Sequence, residues 1–205
     1  SWFSKLEPLD TGHAKVCLVP KDSRGPRLIS MEPLEYQFIQ QGLGRAMTEH
    51  LEKKSHRTSG FVNFTDQEVN RNLAMENSLT REYSTLDMKE ASDRVSLALV
   101  ERLFDKTPLL LKCLKATRTT GTVLPDGTYI ELKKFAPMGS ALCFPVEALV
   151  FWALAKVIQK KARIAGNVYV YGDDLIVPRD LTRLLFDIFP KYGLMFNEDK
   201  CFTDG

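Results

Sequence analysis

The spacing of apolar and polar residues predicts a mixed chain of helices and short strands. Apolar positions recur at helical spacing over residues 33–54, 66–77, 92–103, 108–118 and 180–190. Short β-branched and aromatic runs predict strands over residues 83–88, 119–123, 128–132, 168–171 and 174–177. Pro33 is suited to open the first helix, and Ser92 and Asp180 are suited to cap later ones. Residues 1–32 carry prolines and glycines among spaced cations, which is typical of an irregular surface loop.

The most informative stretch is the hairpin predicted over residues 168–177. Glycine at the first central position of a two-residue turn favours type II′, so Gly172 would place Asp173 at the tip and Asp174 at the start of the return strand. Adjacent carboxylates 4 Å apart repel by about 1 kcal/mol in water and about 4 kcal/mol at an effective dielectric of 20. A hard divalent cation with oxygen ligands would offset that repulsion, so the hairpin is a candidate metal site.

Asp87 is a second candidate, because it ends the strand predicted over residues 83–88 and precedes a helix. A carboxylate at the C-terminal end of a strand faces the crevice in which α/β proteins bind ligands. Taken alone, Asp87 is equally well interpreted as a solvated strand end.

Composition and charge narrow the class of protein without naming a partner. With 205 residues and 44% hydrophobic content the chain can bury a core as one compact unit. Lys plus Arg number 28 against 26 for Asp plus Glu, which is too even a balance to indicate nucleic acid. The cations near the N-terminus fit either a solvated loop or a phosphate-binding loop: Lys15, Lys21, Arg24 and Arg27.

Two further observations exclude simple alternatives. The four cysteines lie far apart with no Cys-x-x-Cys pair, which argues against a zinc ribbon and a disulfide-rich secreted domain and favours a reducing cytosol. Residues 138–155 contain one charged residue, Glu147, which would cost roughly 2.5–3.5 kcal/mol within a bilayer. With Gly139 and Pro145 shortening the helical part, a buried core helix is favoured over a membrane span.

In combination, these features resemble the RNA-dependent RNA polymerases of positive-strand RNA viruses, and most closely the replicase β-subunits of RNA bacteriophages, the leviviruses. The resemblance runs from about residue 19 to the last residue. It is carried by STLDMKEASD at 84–93, LPDG at 124–127, Met138-Gly139, residues 144–151, YGDD at 171–174 and residues 197–202.

The resemblance implies an α+β fold: a right-hand polymerase palm with partial fingers, whose antiparallel sheet is flanked by helices. Residues 1–82 would be a fingers or fingers–palm segment with a basic NTP-binding loop, and residues 83–205 the palm core, without a thumb. The isolated 205-residue chain is therefore expected to be inactive or nearly so.

It also implies two-metal nucleotidyl transfer, in which two Mg²⁺ ions, with Mn²⁺ as a substitute, activate the primer hydroxyl and stabilise the leaving pyrophosphate. Asp87 and Asp173 would be the principal ligands and Asp174 an auxiliary one. Lys200 would be the general acid to pyrophosphate, or else a solvated lysine beside Asp199.

The remaining site residues would bind the substrate. Asp93 would recognise the ribose 2′-hydroxyl while also serving as a first-turn helix anion. Glu147 stands where many relatives have Asn, and is either a ribose contact or a buried carboxylate with a hydrogen-bond partner. The triphosphate would meet Lys21, Arg24 and, best placed, Arg27, with Lys15 the weakest candidate; Gly139 and Ser140 would form the loop that adjusts to template and nascent pair.

The implied partners are an RNA template, nascent RNA and nucleoside triphosphates, together with host translation elongation factors and a ribosomal protein, in the cytoplasm of a bacterial host and with no membrane. Rival interpretations are a reverse transcriptase, a mitovirus-like or narnavirus-like polymerase, and a non-catalytic RNA-binding palm module. Ser92 is small where reverse transcriptases usually carry a bulky aromatic residue, which favours ribonucleotides. A calcium module is disfavoured because no twelve-residue Asp/Asn-rich loop is present.

Overall fold

The structure, a computed structural model, describes residues 12–22, 25–65 and 82–202. Its strands are β1 (His13–Asp22), β2 (Gly25–Met31), β3 (Val62–Asn63), β4 (Tyr83–Asp87), β5 (Gly121–Val123), β6 (Tyr129–Glu131), β7 (Tyr169–Tyr171) and β8 (Asp174–Pro178). Its α-helices are α1 (Leu34–Glu49), α2 (Ala91–Arg94), α3 (Leu97–Leu103), α4 (Pro108–Ala116), α5 (Cys143–Ala162) and α6 (Arg179–Ile188). A π-helical turn (His50–Lys54) continues α1, and 3₁₀ turns follow at Phe189–Tyr192 and Glu198–Lys200. The helix predicted over residues 66–77 lies outside the described residues.

The first sheet, here called the carboxylate sheet, has the strand order β3-β7-β8-β4. β8 is antiparallel to both of its neighbours, β7 and β4, and β3 adds in parallel to β7. The β8 run is apolar without alternation because both faces of the strand are covered: Leu175, Ile176 and Val177 are all at most 1% exposed.

The second sheet, here called the ribbon sheet, has the order β2-β1-β5-β6, with β1 antiparallel to β2 and parallel to β5. The prediction of an irregular loop over residues 1–32 was therefore wrong for residues 13–22 and 25–31. Pro26 is tolerated because β2 is an edge strand, and Pro20 falls where the register shifts between Val19 and Asp22. β1 pairs with β5 only at His13–Lys15, and Leu28 is 63% exposed, so this ribbon buries no complete face. An exposed ribbon gives no alternation of apolar and polar residues to detect.

The core is built around α5, which packs against α6 and the carboxylate sheet. Phe151 and Ala155 of α5 and Leu181 and Leu185 of α6 are completely buried. The prediction of a core helix in place of a membrane span is confirmed, and among the residues with described structure no helix is long and apolar enough to cross a bilayer. Cys17, Cys113, Cys143 and Cys201 are free thiols, which fits the absence of a disulfide framework in the sequence.

Three helix starts differ from the prediction by a few residues. Pro33 is the N-cap of α1 and not its first helical residue. Ser92 lies inside the short α2, which begins directly after Glu90 in a left-handed conformation (φ 51°), and the cap of α3 is Ser96, whose Oγ accepts a hydrogen bond from the Leu99 amide at 3.2 Å. Asp180 lies in the first turn of α6, because the helix begins at Arg179 immediately after the last residue of β8.

Candidate active site

The hairpin joining β7 and β8 has the predicted geometry. Tyr171 pairs with Asp174, so the turn consists of Gly172 and Asp173 alone. Gly172 has φ +60° and Asp173 does not have a positive φ, which together identify a type II′ turn. A Cβ atom on Gly172 would lie 2.1 Å from a ring carbon of Phe144, the second residue of α5. Glycine is thus required here both by the backbone and by the ring packed over the turn.

Asp87 meets this hairpin through strand register. Asp87 is the cross-strand partner of Asp174 in the β4–β8 ladder. The amide of Met88, the next residue, donates a hydrogen bond to the Asp173 carbonyl at 3.1 Å. The structure therefore brings Asp87, Asp173 and Asp174 together from two adjacent strands.

A cation approaches this acidic group from the C-terminal segment. The Asn197 amide donates to the Asp87 carbonyl at 2.8 Å, and Phe202 pairs with Thr85, so the segment runs along the edge of β4. This placement brings Lys200 Nζ to 3.6 Å from Asp87 Oδ2, while about half of the lysine side chain stays exposed. Lys200 is thus an ion-pair partner of Asp87 and not only a solvated lysine.

The negative charge of the three aspartates is only partly neutralised by nearby cations. Burial, followed by the charges of Asp173 and Asp87, raises the pKa of Asp174 to about 6. Asp173 is exposed at the turn, yet partial burial of its carboxyl group raises its pKa, and the charge of Asp87 raises that pKa further. Lys200 and Arg27 act in the opposite direction on the pKa of Asp173 without cancelling the shift. The site therefore favours additional positive charge.

These residues fit a divalent metal in donor type and in charge. Carboxylate oxygens are the ligands that Mg²⁺ and Mn²⁺ prefer, and a cation would relieve the repulsion that raises the two aspartate pKa values. Within residues 12–22, 25–65 and 82–202, no group of three or more His, Cys, Asp or Glu side chains stands in an arrangement that could already hold an ion. The aspartates adjoin one another in register but do not converge on one point.

Glu147 lies on α5 close to the aspartates. It is 7% exposed, and its Oε2 accepts a hydrogen bond from Cys143 Sγ at 3.6 Å. Burial, followed by the charge of Asp173, raises the pKa of Glu147 to about 8. Glu147 is therefore a buried carboxylate with a partner and also a neighbour of the hairpin.

Asp93 is exposed and forms an ion pair with Lys134, which the sequence analysis did not identify. Arg118 fixes the segment that carries Lys134: its guanidinium donates to the carbonyls of Phe135 at 2.8 Å and Lys134 at 2.9 Å. The pair joins residues 41 apart in the chain, and no local pattern marks Lys134 as the partner.

The loop before α5 is held from two sides. Gly139 has φ +122°, and a Cβ atom there would lie 2.1 Å from the Ser30 carbonyl oxygen. The Ser30 amide donates to the Met138 carbonyl at 2.8 Å. Ser140 is 8% exposed, and its Oγ donates to Gln40 Oε1 at 3.1 Å and accepts from the Leu142 amide at 3.3 Å. Gln40 is a further residue that the sequence analysis missed, since it lies 100 positions away from Ser140.

The predicted triphosphate-binding cations are placed unequally. Arg27 lies on β2, near enough to act on the pKa of Asp173. Lys15 is exposed on β1, opposite Met31 of β2. Arg24 lies outside the described residues, and only the backbone of Lys21 is described.

Comparison with known proteins identifies the family of the chain. A family model described as RNA replicase, beta-chain, matches residues 9–205. The RNA-directed RNA polymerase subunit beta of Qbeta virus (strain MX1) is 36% identical over 204 residues, covering 99% of this chain and 33% of that protein. The corresponding subunit of Enterobacteria phage SP is 34% identical, covering 93% and 32%. The beta chain of Escherichia phage MS2 is 30% identical, covering 93% and 33%. The chain thus spans about a third of the length of these curated relatives.

Solved structures share the fold at low sequence identity. The telomerase from Candida albicans, in complex with a fragment of telomeric RNA, superposes with a TM-score of 0.64 at 13% identity over 100% of this chain and 46% of that one. An insertion-loop deletion mutant of the RNA-dependent RNA polymerase of a human picobirnavirus superposes with a TM-score of 0.62 at 13% identity, over 93% and 42%. The chain therefore shares its mixed α/β fold with these two proteins. Because the family model matches nearly the whole length, the chain belongs to the RNA replicase β-chain family of RNA bacteriophages.

Proposed function

We propose that the chain carries the catalytic centre of an RNA-directed RNA polymerase that replicates a phage RNA genome. The observation that carries the proposal is the pairing of Asp87 with Asp174 beside the Gly172–Asp173 turn. Family membership supports it, because the relatives are named RNA-directed RNA polymerases. Adjacent strands that present three carboxylates suit a reaction in which divalent ions assist an in-line displacement at phosphorus.

In this proposal, Asp87 and Asp173 hold two Mg²⁺ ions, with Asp174 as an auxiliary ligand and Mn²⁺ as a substitute. When bound, the ions supply activation of the primer 3′-hydroxyl and stabilisation of the leaving pyrophosphate. Lys200 donates a proton to the pyrophosphate. Its support is the position of Nζ, 3.6 Å from Asp87 and still accessible to solvent.

Substrate recognition uses groups around the aspartates. Arg27 binds the triphosphate together with Lys21 and Arg24, and its effect on the pKa of Asp173 supports this role. Asp93 and Glu147 recognise the ribose, supported by the exposure of Asp93 and by the nearness of Glu147 to Asp173. Gly139 and Ser140 shape the loop on which the template and nascent pair rest.

The two segments of the chain correspond in this proposal to two parts of a right hand. Residues 83–205, with the strands β4, β7 and β8 and the helices α5 and α6, are the palm core. Residues 1–82, with the ribbon strands β1 and β2 and with α1, belong to the fingers or the fingers–palm junction. The pairing of β1 with β5 and of β3 with β7 joins the two segments.

The substrates are ribonucleoside triphosphates and an RNA template with its nascent copy, within a bacterial host. Ser92 supports ribonucleotides, because this small residue is 7% exposed and follows Asp87 by five positions. For a replicase of the relatives' length we also propose recruitment of host translation elongation factors and a ribosomal protein.

The test is Asp173→Ala in a replicase of the relatives' length that carries this sequence. Mg²⁺-dependent ribonucleotide incorporation on a primed RNA should fall by roughly a thousandfold or more, because metal coordination contributes several kcal/mol to the transition state. Circular dichroism should show a folded protein. The matched control is Asp180→Ala, which removes an exposed carboxylate from the first turn of α6 and should leave the rate unchanged. Retained activity in Asp173→Ala would refute the proposed metal site.

A further inference from the structure

Gln40 is a polar residue at a completely buried position of α1. Its apolar neighbours Phe38 and Ile39 are 77% and 52% exposed, so the helix turns its amide inward and its apolar side chains outward at this point. A buried amide is tolerated only where its hydrogen bonds are made. The burial of this amide beside exposed apolar residues therefore indicates that the hydrogen bonds of Gln40 have a role that an apolar residue could not fill.

All four of those contacts reach other segments of the chain. Gln40 Nε2 donates to the Thr117 carbonyl at 2.7 Å and to Glu32 Oε2 at 3.2 Å. Its Oε1 accepts from Ser140 Oγ at 3.1 Å and from the Ala141 amide at 3.3 Å. The amide thereby uses both donors and both acceptor positions. One side chain connects the end of β2, the end of α4 and the loop over residues 138–142, here called the 138–142 loop.

The backbone around this amide leaves little room for the 138–142 loop to move. A Cβ atom on Gly44 would lie 2.9 Å from the Ala141 carbonyl oxygen, so α1 contacts the loop at van der Waals distance. On the opposite side, Gly139 contacts the Ser30 carbonyl of β2. Gly44 and Gly139 therefore permit α1 and β2 to approach the 138–142 loop closely, and the hydrogen bonds of Gln40 hold the loop there.

The 138–142 loop leads directly into the first turns of α5, which touch the candidate active site. Phe144 packs over Gly172, and its ring lies 6.0 Å from that of Tyr171. Glu147, one turn further, acts on the same site through Asp173. A shift of the loop would therefore move Phe144 and Glu147 relative to the hairpin.

We propose that Gln40 is a positioning residue that holds the 138–142 loop, and with it the first turns of α5, in register with Asp87 and Asp173. This inference rests on the proposed polymerase function. The four hydrogen bonds of Gln40 described above involve neither the proposed metal ligands nor Arg27. Loss of Gln40 should therefore disturb the fit of the incoming nucleotide more than the ability to bind metal.

The experiment compares Gln40→Met, Ser140→Ala and the double variant in a replicase of the relatives' length. Gln40→Met keeps the length of the side chain and removes all four hydrogen bonds, whereas Ser140→Ala removes one of them from the loop side. The matched control is Gln41→Met, which makes the same change at an exposed neighbouring position of α1. The measurements are kcat, KM for ribonucleotides, the ratio of ribonucleotide to deoxyribonucleotide incorporation, and the melting temperature.

We expect Gln40→Met to raise KM and to lower the ribonucleotide preference, each by about tenfold, with Gln41→Met at wild-type values. Ser140→Ala should give part of the same change. The double variant should show no larger change than Gln40→Met alone, because the effects of substitutions within one hydrogen-bond network are not additive. A variant with a lower melting temperature but wild-type KM and preference would overturn the proposal, as would additive defects.

If Gln40→Met does not fold, Ser140→Ala decides alone, and unchanged KM and preference in that variant overturn the proposal. Failure here is distinguishable from failure of the proposed function. In the first case Asp173→Ala is still inactive, and in the second it is active.

Discussion

The carboxylate sheet and the ribbon sheet each have four strands, but they relate to solvent in opposite ways. The central strand β8 of the carboxylate sheet is buried on both faces, with Leu175 and Ile176 at 0% and 1% exposure. In the ribbon sheet, Leu18 and Leu28 are 57% and 63% exposed. The first sheet carries the acidic residues of the candidate site, and the second carries Arg27.

The difference shows how each sheet fixes its charged groups. A one-residue slip of a strand buried on both faces would disrupt the packing on each face, so the register that places Asp87 opposite Asp174 is strongly specified. The β1–β2 ribbon is held by backbone pairing with little burial, so its register tolerates a shift between Val19 and Asp22. The aspartates of the proposed metal site thus lie at the sheet with the stronger burial, whereas Arg27, the proposed triphosphate contact, lies on the more exposed one.

The largest expected effect concerns the β7–β8 hairpin of the carboxylate sheet. Gly172→Ala should lower the free energy of unfolding by about 2–5 kcal/mol, because left-handed backbone costs an alanine roughly 1–2 kcal/mol and displacing the Phe144 ring adds roughly 1–3 kcal/mol. Ribonucleotide incorporation should be nearly lost, since Asp173 follows directly. Urea unfolding and the primed-RNA assay measure the two effects.

Gly193→Ala is the matched control for this change. Gly193 also has a positive φ, 78°, but nothing lies within 4 Å of its added Cβ, so only the backbone cost of roughly 1–2 kcal/mol applies. Equal losses of stability in the two variants would show that the ring of Phe144 does not fix the hairpin.

The sequence predicted β4, β7 and β8 of the carboxylate sheet because their signals are local, but it missed the two-residue strand β3. Gly172 before Asp173 between two apolar runs specifies the turn within ten residues, and the strand ending at Asp87 was found in the same way. The meeting of the two followed from family resemblance and not from spacing, because their pairing joins residues 87 positions apart. Helix starts were less accurate, since the left-handed Glu90 moves the cap from Ser92 to Ser96.

In the ribbon sheet the sequence predicted β5 and β6, whereas β1, β2 and the loop contacts could not be predicted in this way. β1 pairs with β5 across more than a hundred residues, as the hydrogen bond from Thr122 to Ala14 shows with its separation of 108. Gln40 lies in a stretch of α1 whose apolar residues face solvent, so periodicity assigns it to the wrong side of the helix. Contacts of this kind depend on tertiary packing, and no window of the sequence contains both partners.

The second prediction tests the electrostatic cost of burying Glu147 of α5 close to Asp173. The pKa of Glu147 is about 8 in the folded chain against an ordinary 4.5, so its contribution to stability is complete below pH 4.5 and is lost as the pH rises through 8. In metal-free solution the wild type should therefore lose up to about 1.4 kcal/mol per pH unit relative to Glu147→Gln between pH 5 and 8. Denaturant unfolding at each pH gives the difference.

Glu35→Gln, which replaces an exposed carboxylate of α1, is the control and should follow the wild type at every pH. Parallel curves for the wild type and Glu147→Gln would contradict the raised pKa. In that case burial of Glu147 beside Asp173 would not carry the electrostatic cost inferred here.

The smallest expected effect concerns Arg27, on β2 of the ribbon sheet. Arg27→Ala should raise KM for ribonucleotides by about tenfold, or about 1.4 kcal/mol, with kcat nearly unchanged, because a charge-assisted contact to phosphate contributes to binding more than to the chemical step. Arg27→Lys should give an intermediate KM, since lysine keeps the charge and loses the bidentate geometry.

The control is Arg183→Ala, which removes an exposed arginine of α6 and should leave KM unchanged. The difference between Arg27→Ala and the wild type should shrink at high salt, because Arg27 is exposed and its charge is screened. A tenfold fall in kcat at constant KM would instead mean that β2 holds the aspartates in place, and the ribbon sheet would then share the structural role assigned here to the carboxylate sheet.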